Sequence, residues 1–287
     1  MSLKLTELDL LELTIDIGKS PRPQLVDAIR RIPDLAAFME FFAIRWNYWR
    51  KRRVDILENL PKLAETSWLS QIAKVSDYPM LGLRPGVSPI GKTFKLAAMA
   101  ELQEIPHELS QWAAGAPFDL FQQRFHRTLC ARALPRQLAY AITGAFVEMA
   151  SNADEHAQSP VPPVACYHVT PEFWSFSVTD VGRGILSSLR QNPVYQTIET
   201  ETEALQLALQ DGVSRFSEEE RGTGFSTVFK ALVDHSASLR FRSGGALGSW
   251  SGESPTASKV TLQSLPLRRS GFHVRVSSRR DFRASRI

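Results

Sequence analysis

A segment in the middle of the chain carries polar side chains that could handle a metal ion and a proton. The stretch FVEMASNADEHA, residues 146–157, places Glu148, Asn152 and His156 four residues apart. Residues four apart in a helix lie on nearly the same face, so these side chains would form one polar ridge. An amide oxygen beside a carboxylate suits a hard divalent cation. Asn152 could therefore ligate Mg2+, and Glu148 could orient or deprotonate a water or hydroxyl.

A glycine-containing turn further along could bind a nucleotide base. In FSVTDVGRGI, residues 176–185, a predicted strand delivers Asp180 to its carboxyl end. Gly182 and Gly184 follow, and glycine lets the backbone come close to a ligand. A buried carboxylate needs a hydrogen-bond donor, which an exocyclic amine such as that of adenine could supply.

A second glycine-containing turn could bind phosphate. In EERGTGFSTVFKALVD, residues 219–234, Gly222 and Gly224 precede a predicted helix. The first amides of a helix and its positive dipole end favour phosphate, and Arg221 and Thr223 lie beside them in sequence. The polar segment between the two turns, residues 186–220, is long enough to serve as a lid over a nucleotide.

Taken in this order, the three stretches resemble the GHKL ATPase superfamily, whose ATP-binding fold is shared by sensor histidine kinases, anti-sigma-factor serine kinases, type II topoisomerase ATPase subunits and heat-shock chaperones. EMASNADEHA resembles the N box of that family, DVGRG its first glycine box and RGTGF its second. The resemblance covers about residues 135–277. Its details are most similar to the anti-sigma-factor kinase and stand-alone ATP-binding branch.

The resemblance implies ATP and Mg2+ as cofactors and gives each matching position a role. Asn152 would ligate the Mg2+ that bridges the phosphates, and Glu148 would be the general base. Asp180 would accept a hydrogen bond from the adenine amino group, and Gly182 and Gly184 would shape the adenine pocket. The residues expected to close over the phosphates are Arg221, Gly222, Thr223 and Gly224.

The chain departs from the family pattern near its end. Family members often have Gly-Thr at the start of a late strand, with the threonine near adenine. Here Gly271 is followed by Phe272. Either Thr256 or Thr261 substitutes for that threonine, or the contact is missing.

The elements that position these residues point to an α+β fold. Helical patterns are followed by alternating strand patterns, which predicts a two-layer α/β sandwich of the Bergerat type, with helices on one face of a mixed sheet. Among these elements we expect helices at residues 92–105 and from Pro135 onward, and separate strands at residues 238–244, 258–265 and 271–277. We predict a mainly helical amino-terminal region with one early strand at LLELTIDIG, a helical connection, an ATP-binding domain and a basic tail. Their bounds are 1–90, 91–134, 135–280 and 281–287.

Two other motifs invite different interpretations. Gly86 to Thr93 satisfies the P-loop pattern G-x-x-x-x-G-K-[ST] literally. Because Pro79 and Pro85 make the preceding stretch a poor strand, we expect a coincidental match in a turn that precedes a helix. His107 in IPHELS resembles a histidine-kinase phosphoacceptor, but it lies only 45 residues before Asn152, so we expect an ordinary histidine at a helix start.

The composition of the chain limits the kinds of partner that we expect it to have. The longest apolar run, PDLAAFMEFFAI, is interrupted by Asp34 and Glu40, and no secretory signal is visible, so we expect a cytoplasmic protein without a membrane partner. Two cysteines are too few for a disulfide framework or a cysteine zinc site. The net charge of +4 is modest, so nucleic acid is not the expected partner. A protein partner or substrate is expected, and homodimerisation stays open.

Two functions from different classes follow. The first is enzymatic, namely hydrolysis of ATP or transfer of its γ-phosphate to a protein serine or threonine. The alternative is a nucleotide-gated protein-interaction module with little or no turnover. A P-loop NTPase acting through residues 86–93 and a nucleic-acid binder are weaker alternatives.

Overall fold

The fold is described from a computed structural model of the chain. The described residues are 93–95, 107–111, 116–132, 134–159, 163–169, 174–209, 237–251 and 260–278. The predicted amino-terminal region 1–90, the second glycine box and the helix expected after it lie outside these ranges. Within the described residues, no helix has the length and apolar character needed to cross a bilayer.

A six-stranded sheet forms the centre of the described part, in the order β1-β2-β3-β4-β6-β5. The strands are β1 Thr93–Lys95, β2 His107–Gln111, β3 Val164–Val169, β4 Trp174–Thr179, β5 Ala237–Ser251 and β6 Thr261–Ser278. Each neighbouring pair among them is antiparallel. The mixed sheet that we expected would need a parallel pair, and the described strands contain none.

Four α-helices accompany the sheet in the described ranges. They are α1 Ala116–Ala131, α2 Arg136–His156, α3 Gly184–Leu189 and α4 Glu201–Ala208, with a short 3-10 helix at Pro193–Tyr195. The structure therefore confirms a fold of helices and strands. It also confirms the long helix predicted to begin at Pro135, which lies at the N-cap position of α2.

Short polar interactions explain where the smaller helices begin. The Thr200 side chain accepts a hydrogen bond from the backbone N–H of Glu203 at 3.1 Å, which caps α4. The Glu203 carboxylate in turn accepts the N–H of Glu199 at 3.3 Å. Asn192 caps the 3-10 helix in the same way, through the N–H of Val194 at 3.0 Å. Such caps satisfy amides that have no partner inside the helix.

The core lies between the helices and one face of the sheet, which we call the apolar face. Phe125 on α1 stacks on Tyr167 of β3 with ring centroids 4.6 Å apart, and it meets Phe146 of α2 edge-on at 5.4 Å. Phe146 contacts Phe176 of β4 at 5.5 Å. All four rings are fully buried. Because α1 shares this cluster with α2 and the sheet, it belongs to the same packed unit.

The opposite face of the sheet is polar, and part of it is buried. Arg240 pairs with Arg275, and Arg242 pairs with His273, across β5 and β6. The Arg242 side chain is only 2% exposed, and the hydroxyl of Thr179 lies 2.7 Å from Nδ1 of His273. The four described helices direct apolar side chains to the other face, so this polar face is distinct from the helical layer.

Two predictions for residues 91–134 are corrected. Thr93–Lys95 is a strand, whereas a helix was expected over residues 92–105. A P-loop places its threonine at the start of a helix, so a strand at Thr93 contradicts the P-loop interpretation. His107 begins a strand that pairs with β3 and does not begin a helix. In both stretches, pairing with a neighbouring strand overrides local helix propensity.

Candidate functional site

Helix α2 presents the polar ridge that the sequence predicted. The amide nitrogen of Asn152 donates a hydrogen bond to Oε1 of Glu148 at 3.4 Å, and both side chains are partly exposed. Buried side chains of the same helix, including Leu138, Ile142 and Met149, pack into the core. The hydrogen bond engages the amide nitrogen, whereas a metal ion would bind the amide oxygen. The ridge therefore holds a carboxylate and an amide together at the edge of the core.

Asp180 lies directly after β4 and is 4% exposed. Its Oδ1 accepts the backbone N–H of Gly182 at 2.8 Å, and its own N–H donates to the Phe272 carbonyl of β6 at 2.9 Å. Burial raises the pKa of the Asp180 carboxyl to about 7, although backbone hydrogen bonds from Gly182 and Phe272 lower it in part. The charged carboxylate is costly in this environment. A ligand that donates a hydrogen bond to it would favour the charged form.

Glycines allow the turn after Asp180 to pack tightly. A Cβ at Gly182 would overlap the carbonyl oxygen of Ala157, which follows α2. Gly271 has φ +80, and a Cβ there would overlap the Asp180 carbonyl oxygen. Both approaches are far closer than any side chain tolerates. The turn therefore lies directly against the end of α2 on one side and against β6 on the other.

Hydrogen bonds hold the same turn to two further elements. The backbone N–H of Arg183 donates to the Ala157 carbonyl at 2.9 Å, and its Nε donates to the His156 carbonyl at 2.9 Å. The N–H of Ile185 donates to Oγ of Ser243 on β5 at 2.8 Å. The end of α2, the turn after β4 and strands β5 and β6 thus meet at one place. Two of the three predicted segments are brought together there.

The remaining predicted site residues are placed as follows. Gly184 begins α3 with φ +76, close to Oγ of Ser243. The second glycine box, comprising Arg221, Gly222, Thr223 and Gly224, lies outside the described residues. Thr261 pairs with Ser249 at the far end of the β5–β6 hairpin from Phe272, so it does not lie beside Asp180. Thr256, the other candidate for that contact, is outside the described residues.

The first part of the predicted lid is packed structure. Residues 186–209 contain most of α3 and all of α4, and these helices bury Leu186, Leu189 and Ala204 in a small cluster. The Glu201 carboxylate at the start of α4 accepts the backbone N–H of Gly245 and binds Arg268, which anchors α4 to the β5–β6 hairpin. The rest of the proposed lid, residues 210–220, lies outside the described residues.

Sequence reasoning missed the side chains that support the turn. Ser243 lies in a predicted strand pattern, and Arg183 stands between the two glycines of the first glycine box, so neither invites a role of its own. Their contacts join residues 58 and 27 positions apart, so no local pattern could have shown them. Gly271 immediately precedes Phe272, the position at which the chain departs from the family pattern, and the close approach of Gly271 to Asp180 gives that glycine a structural reason.

The histidines outside the ridge have packing roles where their side chains are described. The His126 ring lies 4.5 Å from the Tyr140 ring, with Nδ1 3.3 Å from Oγ1 of Thr143. The described ranges contain no group of three or more histidine, cysteine, aspartate and glutamate side chains able to hold a metal ion. Mg2+ needs no such group, because it keeps several waters and binds through one or two protein oxygens plus substrate phosphates. The donor set at Asn152 therefore fits Mg2+ delivered with a phosphate ligand.

No protein-family model matches the chain, and no curated protein matches it. The geometry of α2 and of the Asp180 turn is accordingly what indicates a function.

Proposed function

We propose that the chain binds ATP with Mg2+ through a GHKL-type site built on a Bergerat-type fold. One observation carries the proposal. The helix with Glu148 and Asn152 ends against the turn that holds Asp180, joined by the two Arg183 hydrogen bonds at 2.9 Å. A metal-binding amide and a buried base-recognising carboxylate are thereby held in a fixed relation.

Asp180 suits recognition of adenine. Its buried carboxyl accepts hydrogen bonds, and the 6-amino group of adenine donates one, whereas guanine presents an oxygen acceptor at the corresponding position. Two acceptors facing each other in a buried site would repel. ATP is therefore expected to bind more tightly than GTP.

Glu148 and Asn152 suit the phosphate end. Asn152 would hold Mg2+ through its amide oxygen, and the bound ion would neutralise phosphate charge. Glu148, 3.4 Å from the Asn152 amide, would orient or deprotonate the attacking water or the hydroxyl of a protein serine or threonine. This proximity is the observation on which the enzymatic part of the proposal rests. We propose a cytoplasmic ATPase or serine/threonine kinase with a protein partner or substrate.

Calorimetric titration of the full chain with ATP, ADP and GTP, each with and without Mg2+, tests the proposal. We expect Mg2+ to strengthen ATP binding, and Asn152→Ala to remove most of that gain, about tenfold or more. Gln137→Ala, which changes an exposed amide in the first turn of α2, is the matched control and should leave the gain intact. Equal affinity for ATP and GTP, or a Mg2+ effect that persists in Asn152→Ala, would count against the site.

Formation of ADP in steady state, which both hydrolysis and phosphoryl transfer produce, tests the enzymatic part separately. Glu148→Ala should abolish turnover, while ATP binding stays measurable because Glu148 is not expected to hold the nucleotide. A wild-type chain that binds ATP and forms no ADP, with or without candidate protein substrates, would instead support the nucleotide-gated module.

A further inference from the structure

The end of α2 is completed by a residue that lies far away in sequence. The last carbonyls of a helix have no partner inside the helix and usually bond to water or to a glycine-based cap. Here the carbonyls of His156 and Ala157 each accept a hydrogen bond from Arg183, at 2.9 Å. Water could satisfy these carbonyls equally well. The use of Arg183 instead fastens the helix end to the turn after β4.

The side-chain contribution of Arg183 is stronger than a neutral bond. A guanidinium carries a permanent charge, and the carboxyl end of a helix carries the negative end of its dipole. A charged donor also makes a stronger hydrogen bond to a carbonyl than a neutral one does. The side chain of Arg183 is part-buried where it meets the His156 carbonyl, so water screens this contact only in part.

We infer that Arg183 is a positioning residue that sets the relation between the metal-binding and adenine-binding halves of the site. Asn152 lies one helical turn before His156, and Asp180 lies three residues before Arg183. The inference rests on the proposed ATP site. Arg183 acts through helix α2 and is not expected to contact the nucleotide itself. Its effect is to let one ligand bridge both halves at their correct separation.

This role predicts a specific pattern of affinities. Adenosine needs only the Asp180 half, so its affinity should change by less than about twofold in Arg183→Ala. Mg2+-ATP needs both halves, so its affinity should fall about tenfold, as expected for the loss of a charge-assisted hydrogen bond. The backbone bond from Arg183 to Ala157 survives the substitution, so the two halves should not separate completely. Arg183→Lys keeps a charged donor and should recover part of the loss.

Arg127 provides a matched control. Its Nε donates to the Gln123 carbonyl at 3.4 Å, which is also an arginine side-chain contact to backbone, but donor and acceptor both lie on α1. Arg127→Ala should leave the ratio of adenosine to Mg2+-ATP affinity unchanged. A purely structural role of Arg183 would weaken both ligands together, or neither.

The experiment is a calorimetric comparison of the wild-type chain with Arg183→Ala, Arg183→Lys and Arg127→Ala, each titrated with adenosine and with Mg2+-ATP. A selective loss for Mg2+-ATP in Arg183→Ala, with partial recovery in Arg183→Lys, supports the inference. An unchanged affinity ratio in a wild-type chain that binds Mg2+-ATP overturns the inference alone. A wild-type chain without Mg2+-ATP binding overturns the proposed function and the inference with it. If Arg183→Ala does not fold, the ratio in Arg183→Gln, which keeps a neutral donor, decides in its place.

Discussion

Replacing Asp180 by asparagine should change how the stability of the protein depends on pH. The asparagine side chain would keep an oxygen to accept the Gly182 N–H, which Asp180 accepts at 2.8 Å, but it would not titrate. Burial raises the pKa of the Asp180 carboxyl to about 7, from an ordinary value of 3.8. At 1.36 kcal/mol for each pKa unit, this difference corresponds to about 4 kcal/mol.

The direction in which stability changes with pH depends on whether the folded or the unfolded state holds the proton. Between pH 3.8 and about 7, the folded protein keeps a proton on Asp180 that the unfolded chain has lost. The contribution of the protonated carboxyl is therefore fully present below pH 3.8 and is lost as pH rises through about 7. Asp180→Asn avoids this loss. The difference in free energy of unfolding between Asp180→Asn and wild type should therefore rise with pH. Above pH 7 it should level off, about 4 kcal/mol above its value at low pH.

Urea unfolding at several pH values between about 4.5 and 8 measures this difference. Trp174 and Trp250 are buried, so their fluorescence reports loss of the core. Asp119→Asn removes an exposed carboxylate from α1 and should shift stability by no more than about 0.5 kcal/mol at any pH. A difference between Asp180→Asn and wild type that stays constant across the pH range would refute the reasoning.

Three further substitutions test the packing around the site. Gly182→Ala should lower the free energy of unfolding, measured by thermal unfolding, by about 3 kcal/mol or more, because its Cβ would overlap the Ala157 carbonyl oxygen. Gly144→Ala, on the exposed surface of α2, should instead raise it by about 1 kcal/mol. Equal effects of the two substitutions would show that the turn does not pack against α2. Phe125→Ala should lower the free energy of unfolding, measured in urea, by about 3 to 5 kcal/mol, because the Phe125 ring is fully buried against Tyr167 and Phe146. A decrease below about 1 kcal/mol would place α1 outside the core. Thr200→Ala should lower the free energy of unfolding, measured by thermal unfolding, by about 1 kcal/mol, because α4 loses its cap. Thr200→Ser keeps the hydroxyl and should recover most of that stability. A Thr200→Ser variant as unstable as Thr200→Ala would argue against capping.

The parts of the site within one element were predictable from the sequence. The spacing of Glu148 and Asn152 against the apolar side of α2 indicated the helix and its exposed ridge, and the Asp180 turn followed a clear strand pattern. Both predictions depend on local periodicity, which burial of one face imposes directly. The coarse class of helices packed on a sheet was predictable for the same reason.

The parts of the fold and of the site that depend on contacts between residues far apart in sequence were not predictable. Strands β1 and β2 are short and have no strong alternation, and their conformation follows from pairing with each other and with β3. Strand β6 runs without a break from Thr261 to Ser278, although two separate strands were expected there. Its partner β5 extends alongside it for 15 residues, so the hairpin continues where the local pattern weakens. Arg183 and Ser243 became visible only when the elements they join were placed in space.

The aromatic cluster decides where an independently folding fragment can begin. Phe121 and Phe125 of α1 are fully buried among rings from α2, β3 and β4. A fragment that begins at residue 135, the start of the stretch that resembles the ATP-binding family, lacks both of these phenylalanines. The rings of Phe146, Tyr167 and Phe176 would then lose two of their neighbours. The smallest piece suited to separate expression or transfer to another protein must therefore include residues 116–131.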